Sequence, residues 1–257
     1  IEVSFALFLC RLCGLEIQAF ELAQLCKQAE NEFAGVQCGL LDQVSSIFGK
    51  KDHFIFFDCK THGVRRIAMP AGAVLLICDS TVRHELTSGE YNERRYSCFE
   101  AAEKLGFKSL REATTEQVVN SKLPELLKRR ALHITGENER VRLAVEAMKK
   151  GDLAEMGWLL FESHESSRRN FENSTEELDE LVEIARKIKG VYGSRLTGGG
   201  FGGATVSLVE ANRAEQIAQE LVEEFRRRRK LEAKVLICPV GDGAVETEDY
   251  LPNLSGS

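Results

Sequence analysis

The order of elements in this chain predicts an α+β fold in which helices cover one face of an antiparallel sheet. Three observations carry that reading. Apolar residues alternate with a period of two from His53 to Asp79, and strand-like runs return at 204–209 and 233–239. A long helical middle, Thr114 to Lys189, separates the two groups of strands. Between two late strands, the run Arg195-Leu196-Thr197-Gly198-Gly199-Gly200-Phe201-Gly202-Gly203 packs five glycines into one connection.

Taken in order, residues 1–13 read as a helix apolar nearly all round, through Phe5, Leu7, Phe8, Leu9 and Leu12, and expected to be buried on most faces. A second helix, about 17–33, carries Phe20, Leu22, Ala23, Leu25, Cys26 and Ala29 near helical spacing and breaks at Gly35. Gly39 opens a short helical stretch that Gly49 closes, with Asp42 in its first turn. Three strands are expected next, at 53–58, 64–69 and 73–79, with Pro70-Ala71-Gly72 turning the chain between the second and third. Beyond Asp79 the chain is polar through Arg95, with Tyr91 set among charges, and then helical to Leu105. In the middle, Asp152 with Glu155 and Ser174 with Glu177 form capping-box patterns, and Gly151 fits a C-terminal cap. Leu178, Leu181, Val182, Ala185 and Ile188 form an apolar stripe that needs a cover, so they read as core. A strand at 204–209, a helix at 213–229 with Ile217, Leu221, Val222 and Phe225 inward, and a strand at 233–239 complete the order.

Composition narrows the function classes. At 257 residues the chain can bury a sizeable core in one or two domains. It contains no run of eighteen apolar residues, so no helical membrane span is expected. Its opening, Ile-Glu-Val-Ser-Phe-Ala, has neither an initiator Met nor a signal pattern and reads as an interior stretch of a longer protein. A net charge of −6, with acids and bases interspersed, argues against a nucleic-acid footprint. The one basic run, Arg226 to Lys230, closes a helix, where positive charge suits the C-terminal dipole. Eight scattered cysteines, Cys10, Cys59, Cys78 and Cys238 in apolar settings, suit a reducing cytosol in which cysteine is a small buried hydrophobe. Cys10 and Cys13 form a C-x-x-C, but on an apolar helix without a second ligand pair, so they read as packing. His84, His133 and His164 lack metal-ligand spacing and read as structural hydrogen-bonding residues.

Glycine gives up packing for positive φ and close backbone approach, so the cluster after Arg195 fits either a tight hairpin or an anion cradle. Gly198, Gly200 and Gly203 satisfy G-x-G-x-x-G. A dinucleotide site requires a helix to start at that loop, whereas Ala204 to Val209 reads as another strand. No Gly-Lys-Ser/Thr follows, which excludes a Walker A loop.

Five stretches together carry a family resemblance: Gly39-Leu40-Leu41-Asp42-Gln43, Ser88-Gly89-Glu90-Tyr91-Asn92-Glu93-Arg94-Arg95, His133 with Glu137-Asn138 and Arg140, Glu162-Ser163-His164, and Arg195 to Gly203. In this order, from Glu2 to about Pro239, the chain resembles the galactokinases, within the superfamily of small-molecule kinases that includes homoserine, mevalonate and phosphomevalonate kinases (GHMP kinases). The resemblance implies a two-domain α+β fold with the active site between the domains. It implies residues 1–50 as the remnant of an N-terminal ATP- and sugar-binding domain like ribosomal S5 domain 2. A C-terminal domain with a ferredoxin-like antiparallel sheet would follow at 51–252, with 253–257 as a tail. The activity implied is ATP-dependent phosphorylation of galactose at its C1 hydroxyl, giving galactose 1-phosphate, in the cytoplasm and as a monomer, with Mg2+ and without nucleic acid or membrane.

The family's first motif, which grips the sugar, and its second, the glycine-serine loop around the ATP phosphates, are not in this sequence, so the chain alone is expected to be inactive and to hold no metal ligands. Phosphoryl transfer needs positioning, charge neutralisation and a group to take the hydroxyl proton. Asp42 stands at the family's catalytic aspartate position; read without the resemblance, an aspartate in a first helical turn compensates the dipole. By the same resemblance Gly39 would offer backbone to the sugar and Tyr91 a side chain to its rim. Gly198, Gly199, Gly200, Gly202 and Gly203 would shape the phosphate site, and Arg195 is either electrostatic support or strand surface. Where many galactokinases have Ser-Cys-Pro, this chain has Thr175 and Glu176 after Ser174, and Ala204 replaces a frequent cysteine. Two other readings stay open at this point: a sister kinase for N-acetylgalactosamine or arabinose, and a non-catalytic galactose and ATP sensor on the same scaffold.

Overall fold

A computed structural model describes residues 1–34, 38–83 and 88–244. They form two compact units, one of 1–68 joined by the chain from Val240, the other of Met69–Pro239. This division differs from the expected one at 50/51. The chain from Val240 rejoins the first unit: Asp52 N donates to Val240 O (3.1 Å) and Ala244 N to Ser46 O (2.6 Å). Lys51 N also donates to Asp242 Oδ1 (2.8 Å). The tail expected at 253–257 lies outside the described residues.

In the first unit, α1 (Glu2–Cys13) and α2 (Ala19–Ala29) are followed by a π-helical turn over Glu30–Ala34 and then by α3 (Leu41–Phe48). The break expected at Gly35 lies outside the described residues. Strands β1 (His53–Phe57) and β2 (Val64–Ala68) close the unit as an antiparallel hairpin, His53 opposite Ala68 and Phe57 opposite Val64. The small core joins Val3, Leu22 and Cys26. Here one expectation fails. Of α1 only Val3 is buried, while Phe5, Phe8, Leu9 and Leu12 are exposed, Leu12 by 69%. An apolar surface is buried only where another surface meets it, and within this unit α1 meets partners along one side. Likewise Cys13 and Cys59 are exposed, whereas Cys26 and Cys78 are buried.

The second unit is built on a four-stranded antiparallel sheet of β3 (Ala73–Arg83), β4 (Val191–Leu196), β5 (Gly202–Glu210) and β6 (Lys234–Cys238), in the order β4-β5-β3-β6. With helices between β3 and β4 and between β5 and β6, this is the ferredoxin-like arrangement. The three strands expected at 53–58, 64–69 and 73–79 are present but fall in two sheets: β3 takes β5 on one edge and β6 on the other, so no edge remains for β2. β3 also runs on to Arg83, past an irregularity after Asp79 where Thr81 adopts φ 61°.

Helices α4 (Ser88–Lys104), α5 (Thr115–Val119), α6 (Glu125–Lys150), α7 (Leu153–Ser166), α8 (Glu176–Ala185) and α9 (Ala214–Arg229) complete the unit. α4 begins earlier than expected, so Tyr91 is helical. The expected stripe on α8 is core: Leu181, Ile184, Ala185 and Ile188 join Leu76, Cys78 and Val209 of the sheet and Ile217, Leu221 and Phe225 of α9. Each buried Leu, Ile, Val or Phe among them contributes about 1.5–3 kcal/mol over its exposed state. The cap of α8 is Thr175, whose hydroxyl accepts from Leu178 N, one residue later than expected, while Ser174 Oγ donates to Asp179 (2.6 Å). Asp152 caps α7 as expected, and Thr114 with Gln117 forms a capping box on α5 that the sequence reading missed.

The helices do not all share one face. α7 lies along β4 so closely that a Cβ at Gly193 would run into the Gly157 carbonyl, and one at Gly157 into that of Tyr192. Gly193 pairs with Leu208, and Leu208 alternates with Val209, which faces α8 and α9, so α7 occupies the opposite face. Two glycines make that approach possible, and no other residue fits either position.

Candidate active site

In the first unit, Asp42 sits in the first turn of α3 and is exposed. It lines an open cavity of about 530 Å³ together with Ile1, Glu2, Ala29, Glu30 and Phe33. The next residue, Gln43, is only 1% exposed. Its Nε2 donates to Glu2 Oε1 (2.7 Å) and to Glu30 Oε2 (2.8 Å), so one amide draws the first residue of α1 and the end of α2 together beside Asp42. Gln43 Oε1 is buried with no hydrogen-bond partner among the described residues. Cys38 Sγ lies 3.4 Å from Glu30 Oε2 and 3.4 Å from Asn31 Oδ1. Burial first, and then the Glu30 hydrogen bond, raise this thiol above its ordinary value, so it keeps its proton and donates. Gly39 is exposed, with open space where a Cβ would stand. The sequence had singled out Gly39 and Asp42 in this group; Glu2, Glu30 and Cys38 it left without a role. They come from three separate elements, and nothing in their spacing announces that they meet.

In the second unit the glycine run is the connection from β4 to β5. Gly198, Gly200, Gly202, Gly203 and even Phe201 have positive φ, which for Phe201 (60°) is a strained choice. Asn173 holds that shape. Its carbonyl accepts from Phe201 N at 2.6 Å, and its Nδ2 donates to Gly199 O at 3.1 Å. A Cβ on Gly200 would strike Asn173 O. Asn173 itself follows a π-helical turn, Ser167–Phe171, and Glu172 in left-handed conformation (φ 54°).

The histidine and serine motifs lie beside this loop. His164 Nδ1 accepts from Leu196 N (3.2 Å), so its proton sits on Nε2, 3.2 Å from Asp179 Oδ1. His133 Nδ1 pairs with Ser166 Oγ (3.0 Å), and its ring stacks on Phe171 at 4.4 Å. Burial pushes the His133 pKa down to about 4; Glu137 opposes this, while Arg140, Arg195 and Arg130 add to it. Glu137 accepts from Arg140 Nε (2.5 Å) and Ser163 Oγ (2.7 Å), with Arg195 Nη1 at 4.0 Å. Burial works to raise the Glu137 carboxyl, and Arg195, Arg140 and Ser163 outweigh it, leaving it below the usual carboxylate range. Arg195 is therefore neither bare strand surface nor free: it is part-buried and faces Glu137. Tyr91 falls on α4, but its side chain, like all of His84, lies outside the described residues.

Among the described residues no three His, Cys, Asp or Glu side chains stand as a metal-binding group, and no helix is long and apolar enough to cross a membrane. The basic run of α9 is engaged in ion pairs: Arg228 with Glu180 and Glu224, Arg229 with Glu176 and Glu177, Arg226 with Glu232.

Comparison with known proteins follows the same lines. The profile described as GHMP kinases N terminal domain matches residues 1–50, and that described as GHMP kinases C terminal matches 144–227. A galactokinase of Thermotoga neapolitana is 42% identical over 233 residues, 90% of this chain and 66% of that protein. One of Bos taurus is 42% identical over 231 residues, 88% of this chain and 58% of that protein. The crystal structure of Lactococcus lactis galactokinase complexed with galactose superposes with a TM-score of 0.89 at 30% identity, covering 94% of this chain and 64% of that one. The chain thus spans somewhat less than two thirds of these relatives' length. Profiles at both ends, together with this likeness in sequence and fold, establish that the chain belongs to the GHMP kinase family, alongside the galactokinases.

Proposed function

We propose that this chain is the larger part of a cytoplasmic galactokinase, which transfers the γ-phosphoryl group of ATP to the C1 hydroxyl of galactose. The observation that supports it most is the placement of Asp42: a carboxylate at the start of a short helix, open to a cavity, in a chain 42% identical to galactokinases. Asp42 accepts the proton of the C1 hydroxyl as the phosphoryl group arrives, which removes the charge that would otherwise build on the attacking oxygen. Gly39, without a side chain, leaves backbone open to the sugar, and Tyr91 on α4 contributes to the rim of the sugar site. Gly198, Gly199, Gly200, Gly202 and Gly203 shape the phosphate side. In this reading the protein is monomeric and binds neither nucleic acid nor membrane.

A magnesium ion accompanies ATP in such chemistry and neutralises phosphate charge. Carboxylate oxygens are the donors it takes, commonly one or two from the protein with phosphates and water completing the shell. Glu2 and Glu30, gathered on one amide at the cavity that Asp42 lines, fit that donor set and would supply one or two of its oxygens, where the sequence reading assigned this chain no ligand.

The test is galactose-dependent ATP turnover by the full-length protein, with galactose, N-acetylgalactosamine and arabinose compared. Galactose is expected to give the highest kcat/KM. Asp42→Asn should lower kcat by about a thousandfold or more while galactose binding stays within a few-fold. Retained kcat in that variant removes Asp42 from its role, and binding of galactose without turnover in the wild type overturns the enzymatic reading.

A further inference from the structure

Arg94 stands one turn after Tyr91 on α4, and its side chain is 11% exposed. Its Nε donates to Phe171 O at 2.7 Å and its Nη2 to Glu172 O at 3.0 Å. These two carbonyls lie where the π-helical turn ends and the chain reverses through Glu172, so no helical partner is available to them. The same guanidinium lies over the Phe201 ring, 5.6 Å from its centroid, inside the glycine loop. One residue beyond Glu172, Asn173 holds Phe201 N and Gly199 O. The far side of the turn is gripped from α6: Arg130, 1% exposed, donates to Asn170 O (2.5 Å), and Arg129 and Arg130 both bind the Glu172 carboxylate at 2.5 Å. The turn 170–173 is therefore held from two sides with the glycine loop bonded to it, and Arg94 ties it directly to α4, which also packs on α6 through Ala101, Ala102, Leu127 and Ala131.

We propose that Arg94 is a positioning residue that couples the sugar side of the site to its phosphate side, by setting α4 and the glycine loop in one fixed relation. The proposal rests on the reading above, in which Tyr91 borders the sugar and the glycine loop the phosphates. A planar fork is needed, since two carbonyls and a ring face must be met at once, and a lysine ammonium cannot do all three. If either ligand favours the linked arrangement, each must raise the affinity of the other by the same factor.

The experiment uses the full-length protein and Arg94→Lys. Galactose affinity is measured by calorimetry with and without a non-hydrolysable ATP analogue, and amide exchange is followed at Phe201 and, as a control in the sheet, at Leu208. In the wild type the analogue is expected to tighten galactose binding at least fivefold; in Arg94→Lys that factor should fall to about one, with exchange at Phe201 at least tenfold faster and Leu208 unchanged. A variant that keeps the wild-type coupling factor, or one in which Phe201 and Leu208 loosen equally, overturns the proposal, as does a wild type without coupling. Should Arg94→Lys fail to fold, Phe201→Leu, which leaves the carbonyl bonds in place, is expected to lose part of the coupling, and full retention there overturns it too. If the wild type binds no galactose, the functional reading fails, while the contrast between Phe201 and Leu208 still decides whether Arg94 sets the loop.

Discussion

Helices α1, apolar nearly all round, and α8, apolar along one stripe, differ in what they bury. Both carry several large apolar side chains, yet α8 buries Leu178, Leu181, Val182, Ile184 and Ala185, and α1 buries Val3 alone. α8 starts from a side-chain cap at Thr175, while no side chain caps α1. The difference teaches that an apolar stripe states a demand for a partner, and that the fold decides whether the demand is met. Around α8 a sheet face and α9 meet it; around α1, within its own unit, Leu22 and Cys26 meet a small part.

Substitutions can break or sharpen this contrast. Trp158, the only tryptophan in the chain, lies on α7 and reports unfolding of the second unit. Leu181→Ala should lower its stability by about 3 kcal/mol, measured by urea unfolding of this chain, since it empties a fully buried site between helix and sheet. A cost below about 1 kcal/mol would show that the α8 interface is loosely packed and that the contrast with α1 is false. Acid provides the next effect. His133, ordinarily 6.5, stands at about 4 in the folded chain, so the fold holds its neutral form. Its contribution is whole above about pH 6.5 and is lost as pH falls towards 4, on the order of 3 kcal/mol in all. His133→Gln should flatten the stability profile in that window, and an unchanged slope assigns the acid sensitivity elsewhere.

Smaller effects bear on the helix ends and on α1 itself. Thr175→Ala should cost about 1 kcal/mol through the lost cap, with Thr175→Ser restoring most of it in the same unfolding assay. Leu12→Ala should change stability by less than about 0.5 kcal/mol, because its side chain is largely in solvent. Amide exchange in α1 measures this directly, and a loss there as large as that of Leu181→Ala would mean that the face of α1 is covered in solution.

The candidate site divides in the same way. Asp42 was singled out by the run Gly39 to Gln43, which resembles the galactokinases; its place in the first turn of a helix by itself reads only as dipole compensation. The glycine loop was legible as a tight connection between two strands, while its phosphate role came from the resemblance alone. Glu2, Glu30 and Gln43 meet only after α1, α2 and α3 pack, and Arg94 reaches Phe171 and Glu172 across 77 and 78 residues of sequence.

Local physics was therefore enough for the kind and order of most helices and strands, though not for the start of α4 or the end of β3, and for the α8 stripe, the cap at Asp152 and the rejection of a dinucleotide loop. Periodicity and capping act over a few residues, and those are written in the chain. Tertiary structure alone decided that β3 leaves β2 for β5 and β6, that α7 crosses to the opposite face on the paired glycines Gly157 and Gly193, and that the turn at 170–173 carries the glycine loop. Each of these depends on which surfaces meet and on hydrogen bonds between distant residues, and no short stretch of sequence holds both halves of such a contact.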